Sequence, residues 1–243
     1  MRPVEDLARS LSGLKEVPVK MAFLRDALRD QGTDDVVHFL ALALGIRVRS
    51  ASDEPALLAL WLLAGPDADD IRREAIASAA RRAGASDVVH FVMPRPADVP
   101  AFAARPMPYG GDRPLTLGER KSLARSRDRE LLARVLRDPN RDVIQNLLMN
   151  PGLRTEDVVR LASRRPVPTD VLRTILADLR WALRYDVRLA LVQNPYLELG
   201  LAVPLTACLR ASDARAVERA ASLRPEVREG ARRARAASTE WRH

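Results

Sequence analysis

The chain has 243 residues, of which 47% are hydrophobic and 30% charged, a balance that excludes a disordered polymer and leaves ample material for a core. Aromatics make up only 4%, so Leu, Ala and Val must fill that core. A single cysteine, Cys208, excludes an internal disulfide and, with no apolar run near the ~20 residues of a spanning helix, points to a reducing, cytoplasmic setting without membrane insertion.

In chain order, the first segment reads as helix throughout. The start, MRPVEDLARS, is polar and acidic, unlike a signal peptide. Val4–Leu14 is a short helix. In the next, Val17–Arg29, Met21, Leu24 and Leu28 fall at helical spacing. Gly32 breaks it, and Thr33 or Asp34 caps DDVVHFLALALGI (34–46), whose apolar character predicts burial. A turn at 50–55 leads to a helix over Ala56–Ala64, closed by Gly65-Pro66. Asp67, Asp69 and Asp70 then crowd a helix start, and Arg81 and Arg82 its end, both complementing the helix dipole before Gly84 stops it. The phrase Asp35-Val-Val-His38-Phe39 returns 52 residues later as Asp87-Val-Val-His90-Phe91. Both histidines lie in apolar runs and read as core or helix-contact residues.

Residues 93–114 hold six of the 17 prolines plus Gly110-Gly111, a density no helix survives. The charge balance changes here too: residues 1–112 carry 14 basic and 16 acidic side chains, residues 113–243 carry 26 and 16. The expected organisation is therefore an N-terminal helical segment (1–92), a Pro/Gly-rich strap or linker (93–115) and a basic repeat domain (116–243). RPMP (105–108) has the composition of a partner-domain ligand, although a plain linker accounts for it as well.

Thr116 and Glu119 have capping-box spacing, and Asp128–Arg137 is the next helix. One short phrase then recurs. DVIQNLLMNP (142–151) and DVRLALVQNP (186–195) agree at five of ten positions, with DVVRLASRRP (157–166) and DVLRTILADL (170–179) between them. The four Asp-Val pairs stand at steps of 15, 13 and 16 residues, a short period that means stacked helices. Each helix starts on Asp and sets apolar residues at i and i+4: Val143/Leu147, Val158/Ala162, Val171/Ile175 and Val187/Leu191. Thr155 and Thr169 stand at N-cap positions. Asn-Pro or Arg-Pro punctuates the ends, since Asn tolerates the left-handed conformation and Pro cannot continue a helix. The pattern persists more loosely to Pro225, and Glu226–Ala237 is a last basic helix.

Residues 140–225, through NPGLRTEDVVRLA (150–162) and RPVPTDVLRTILA (165–177), resemble HEAT-like α-helical repeat families and especially the leucine-rich-repeat variant. The stretch 115–151 is similar to a bacterial family of such repeats. The resemblance implies an all-α, right-handed α-solenoid of short HEAT-like repeats, and it implies no particular activity. A variant-repeat protein can carry a cysteine cluster for an iron–sulfur centre; one cysteine cannot build one.

Chemistry-bearing motifs are sparse. His38, His90, His243 and Cys208 show no i,i+4 or Cys-x-x-Cys spacing for a metal. There is no nucleophile elbow, phosphate loop or dinucleotide turn, and the Asp/Glu pairs sit where helix starts account for them. The expectation is a non-catalytic protein without cofactor or metal. What remains is arginine: Arg141, Arg160, Arg164, Arg165, Arg173, Arg180, Arg184 and Arg188, with Trp181 and Tyr185 interleaved. In a repeat array, equivalent positions form a ladder on one face. The residues point first to a scaffold or adaptor binding an acidic protein surface. The second reading is nucleic acid, with arginines on phosphates, Trp181 stacked on a base and a repair role conceivable. Against both stands a solvated face neutralised by Asp142, Asp157, Asp178 and Asp186.

Overall fold

The computed structural model describes residues 10–11, 13–29, 31–50, 70–92, 109 and 113–240. Among them every regular element is a helix. In order these are α1 (Val17–Arg29), α2 (Thr33–Ser50), α3 (Asp70–Arg82), α4 (Ser86–Val92), α5 (Leu117–Leu123), α6 (Arg129–Val135) and α7 (Arg141–Leu148). They continue as α8 (Thr155–Ala162), α9 (Thr169–Ala177), α10 (Leu179–Ala182), α11 (Tyr185–Val192), α12 (Leu199–Thr206), α13 (Ala211–Arg219) and α14 (Pro225–Glu240). The helix expected over 56–64, most of that over 4–14, and the strap apart from Tyr109 and its last residues lie outside the described residues. No helix among the described residues is long and apolar enough to cross a membrane.

By their contacts the helices form two compact units, residues 1–97 with 199–243, and residues 98–198. In the first unit α2 packs on α3 and α4, and α12 packs on α4 and α14. Val36, Val37, Phe39 and Leu40 of α2 are buried, while Asp34, His38 and Ala41 share the exposed face at i, i+4 and i+7. His38 is therefore a surface residue, against its reading as a core or helix-contact residue: the helical period turns it outward within an otherwise apolar run. Gly84 ends α3 as expected, at φ 69°. The Gly84 and Ala85 N–H groups donate back to the Arg81 and Ala80 carbonyls, the double bond of a Schellman turn that a residue without Cβ accommodates. On α14, Gly230 lets the chain approach Thr206, whose Oγ1 would lie 2.7 Å from a Cβ at that position.

The second unit shows why the recurring phrase folds as it does. Val143, Leu147, Val158, Ala162, Val171, Ile175, Val187 and Leu191, the apolar pairs read from the repeat, are all 0% exposed. Full burial of each large aliphatic side chain contributes about 1.5–3 kcal/mol relative to exposure. Thr116 and Glu119 form the expected capping box, the Thr116 N–H donating to Glu119 Oε2 at 2.8 Å and the Glu119 N–H to Thr116 Oγ1 at 3.3 Å. Thr155 and Thr169 fall one residue inside their helices, with Arg154 and Pro168 in the N-cap position. Helices that are not consecutive are neighbours: α7 packs on α5 and α9, two steps away, and α8 on α11, three steps away.

Candidate interaction surface

Helices of seven to nine residues have a chemical problem that long ones do not. Each leaves its last four carbonyls without an intrahelical partner, so such elements carry many orphan acceptors per residue. In the second unit, side chains from other helices and turns supply the donors. Asn150 Nδ2 donates to the Ala124 and Ser126 carbonyls, both at 2.8 Å, at the end of α5. Asn194 repeats this at the end of α8, on Ala162 at 2.7 Å and Arg164 at 2.9 Å. Each Oδ1 accepts from the N–H two residues on, Gly152 at 2.8 Å and Tyr196 at 3.0 Å. The asparagine of the recurring Asn-Pro is an interlayer clamp as well as a helix terminator.

Arginine does the same work. Arg164 Nη1 reaches back 28 residues to the Leu136 carbonyl at 2.9 Å, and Arg165 Nη2 reaches forward to the Gln193 carbonyl. Arg188 Nη1 turns onto the Ala182 and Leu183 carbonyls at 3.2 and 2.9 Å, closing α10. Arg129 joins α6 to α8 through the Asp157 carboxylate at 2.9 and 3.0 Å and the Gly152 carbonyl at 3.2 Å. Asp157 is 3% exposed. Burial alone would raise its pKa, but the Arg129 fork and the Arg154 N–H hold the carboxyl below the usual range.

These bonds sort the ten residues of the expected ladder. Trp181 is 3% exposed, with its Nε1–H on the Leu148 carbonyl at 3.0 Å, and Arg188 is 3% exposed. Neither is presented for stacking or for phosphate, because both serve the ends of neighbouring short helices. Tyr185 is half-buried with the Arg188 guanidinium 5.5 Å from its ring centre. Arg164 is half-buried on its carbonyl, Arg165 is exposed but tied, and Arg173 is paired with Glu198. Arg141, Arg160, Arg180 and Arg184 are exposed. Arg141 lies 3.5 Å from Asp142, and Arg180 sits over the Trp181 ring at 4.5 Å. Arg160 lies near enough to Asp157 for its charge to help lower that carboxyl's pKa. The aspartates behave individually: Asp142 pairs with Lys121 at 2.9 Å, and Asp178 caps α10 through the Arg180 N–H at 3.0 Å. Burial raises the Asp178 pKa.

Divided by compact unit, the charge asymmetry of the sequence shrinks. Residues 98–198 carry 18 basic and 13 acidic side chains, and residues 1–97 with 199–243 carry 22 and 19. The arginine-rich α13 and α14 belong by their contacts to the first unit.

One feature lay outside the reading of the sequence. Asp138, in the turn after α6, is 0% exposed and accepts from Arg120 Nη1 at 2.9 and 2.8 Å, from the Asn140 N–H at 2.8 Å and from the Tyr109 hydroxyl. Tyr109 is itself 8% exposed, and its carbonyl accepts from Arg134 Nη1 at 3.1 Å. Burial pushes the Tyr109 hydroxyl well above the usual phenol range, and the bond to Asp138 pushes it the same way. The available signal was an aromatic residue within a proline-rich stretch; its partner, 29 residues on, carried none. Among the described residues no cluster of His, Cys, Asp and Glu is arranged to hold a metal ion. No family model, no curated protein and no solved structure matches this chain.

Proposed function

We propose that this chain is a non-catalytic protein-binding scaffold or adaptor, in which the second unit is a short right-handed α-solenoid of HEAT-like repeats presenting arginine to an acidic protein surface. The observation that carries the reading is the repeated clamp. Asn150 and Asn194, at matching places in two copies of one phrase, make the same pair of bonds to the end of an earlier helix, α5 and α8 respectively. The long-range side-chain bonds to carbonyls in the second unit span 23 to 33 residues, from Arg129 on Gly152 to Trp181 on Leu148, the spacing of a two-helix repeat. Arrays held this way offer a preformed surface, and binding folded partners or peptides is their common use. Of the arginines in the expected ladder, those exposed and not held on a carbonyl or on Glu198 are Arg141, Arg160, Arg180 and Arg184.

The same observations weigh against nucleic acid. Base stacking needs an exposed aromatic face, and Trp181 is interior. Several of the arginines that would meet phosphates are occupied by backbone carbonyls.

The test is equilibrium binding of a fluorescein-labelled poly-Glu peptide to the wild-type chain and to a variant carrying Arg141→Ala, Arg160→Ala, Arg180→Ala and Arg184→Ala. The reading expects binding that weakens about ten-fold or more in the variant, since these four charges make up the proposed surface. Equal binding by both proteins would remove these arginines from the surface.

A further inference from the structure

We infer that the niche at Asp138 is a recognition site for a tyrosine in a proline-rich protein segment, and that Tyr109 of this chain occupies it in cis. The inference extends the protein-binding reading above to a second site and a different partner chemistry.

Tyr109 is held at two points, as a bound peptide is: its side chain by Asp138 and its main chain by Arg134. Side-chain and main-chain anchoring together fix both the identity and the register of an extended segment. The niche does not depend on the tyrosine for its own integrity. Arg120 and the Asn140 N–H supply three of the bonds to Asp138, so its charge stays compensated and its oxygens stay oriented when the phenol leaves. A site that keeps its shape while empty is preorganised for an incoming ligand.

The comparison with the other joints sharpens this. Arg164 reaches back 28 residues to a carbonyl at the end of α6. Arg134 reaches back 25 residues, but its acceptor, Tyr109, belongs to no helix. Arg134 thus holds a peptide carbonyl outside any helix, whereas Arg164 holds one at a helix end. The sequence around Tyr109, RPMPYGG (105–111), matches that role chemically: proline lowers the conformational entropy a segment loses on docking. A hydroxyl donating to a buried carboxylate also discriminates Tyr from Phe, because bonds to an ionised acceptor are the strong ones.

The experiment uses the full chain and a fluorescein-labelled peptide of residues 105–111, with folding checked by circular dichroism. Tyr109→Ala is expected to stay folded and to bind the peptide at least about ten-fold more tightly than the wild-type chain, where the cis occupant lowers apparent affinity by the fraction of sites left free. The peptide with Phe in place of its tyrosine is expected to bind Tyr109→Ala about ten-fold more weakly. The full-chain variant Tyr109→Phe, which keeps the ring and loses the donor, should fall between wild type and Tyr109→Ala. Two results overturn the inference: a folded Tyr109→Ala with no gain in peptide affinity, or a Tyr109→Ala that unfolds, since an occupant can leave its site and a core residue cannot. Loss of poly-Glu binding in the arginine variant is a separate readout and concerns the other surface.

Discussion

Replacing Asn150 with Ala is the sharpest probe of how the second unit is held together. The side chain is 3% exposed and makes three bonds, two donated to carbonyls and one accepted from Gly152. Gly152 is exposed, so water can take over its N–H, but Ala124 is 0% exposed and Ser126 is half-buried. A buried group left unsatisfied costs about 1–3 kcal/mol, and an ordinary bond about 0.5–1.5 kcal/mol. The expected destabilisation is therefore about 2–4 kcal/mol, a large part of a typical total of ~5–15 kcal/mol. Asn194→Ala should cost the same, because Ala162 is likewise 0% exposed. The two sites share no hydrogen-bond partner, so the double variant should be additive to within about 0.5 kcal/mol. Urea unfolding followed by circular dichroism measures this, with exposed Gln145→Ala on α7 as the control, expected within about ±0.5 kcal/mol. If Asn150→Ala behaves like Gln145→Ala, the Asn150 clamp is not what fastens α7 to α5.

Other consequences follow from particular side chains. Arg188→Ala leaves the Ala182 and Leu183 carbonyls without their donor and should destabilise by about 1.5–3 kcal/mol, whereas exposed Arg184→Ala should fall within about 0.5 kcal/mol of wild type by the same unfolding assay. Gly230→Ala drives a Cβ to 2.7 Å from Thr206 Oγ1 and should cost about 1–3 kcal/mol through overpacking. Thr206→Ala in the same chain should relieve part of that cost, giving a non-zero coupling in a double-mutant cycle. Glu119, bonded first by Arg113 and then by the Thr116 N–H and hydroxyl, is lowered to about 2, as is Glu229 by Arg232 and Arg233. Both folded-state values lie below the ordinary 4.5. Their stabilising contribution is thus complete above that value and is lost as pH falls through it toward 2. Carboxyl chemical shifts followed by NMR should titrate near 2; titration near 4.5 would mean that the surface pairs do not persist in solution.

Much of the second unit was legible because short helices need frequent punctuation. Asp starts, the Thr116 box and the i,i+4 aliphatic pairs are local signals, and every one of those eight aliphatic side chains is fully buried. What was not legible depends on partners far along the chain. The Asn150 amide spans 24 and 26 residues to its acceptors, and Trp181 reaches 33 residues to Leu148. From the sequence an arginine or tryptophan on a short helix reads as surface. Its burial follows only once the open carbonyls of a neighbouring helix are known to lie beside it. The charge difference between the two halves of the chain was misleading for a related reason, since the helices from Leu199 onward belong by their contacts with the first unit. Asp138 is a further case: it follows the end of α6 and is a fully buried acceptor for Tyr109, 29 residues away, and for Arg120, 18 residues away.

Of the arginines in the expected ladder, Arg164, Arg165 and Arg188 fasten helix ends, and Arg141, Arg160, Arg180 and Arg184 are the exposed set proposed to meet an acidic protein surface. The most direct test is fluorescence anisotropy with labelled single- and double-stranded DNA and RNA, titrated at several salt concentrations. The account predicts weak binding that vanishes by about 150 mM salt, where exposed charges more than ~8 Å apart are screened. Submicromolar binding at that salt, with a log–log slope near −0.9 for each duplex phosphate neutralised, would contradict it.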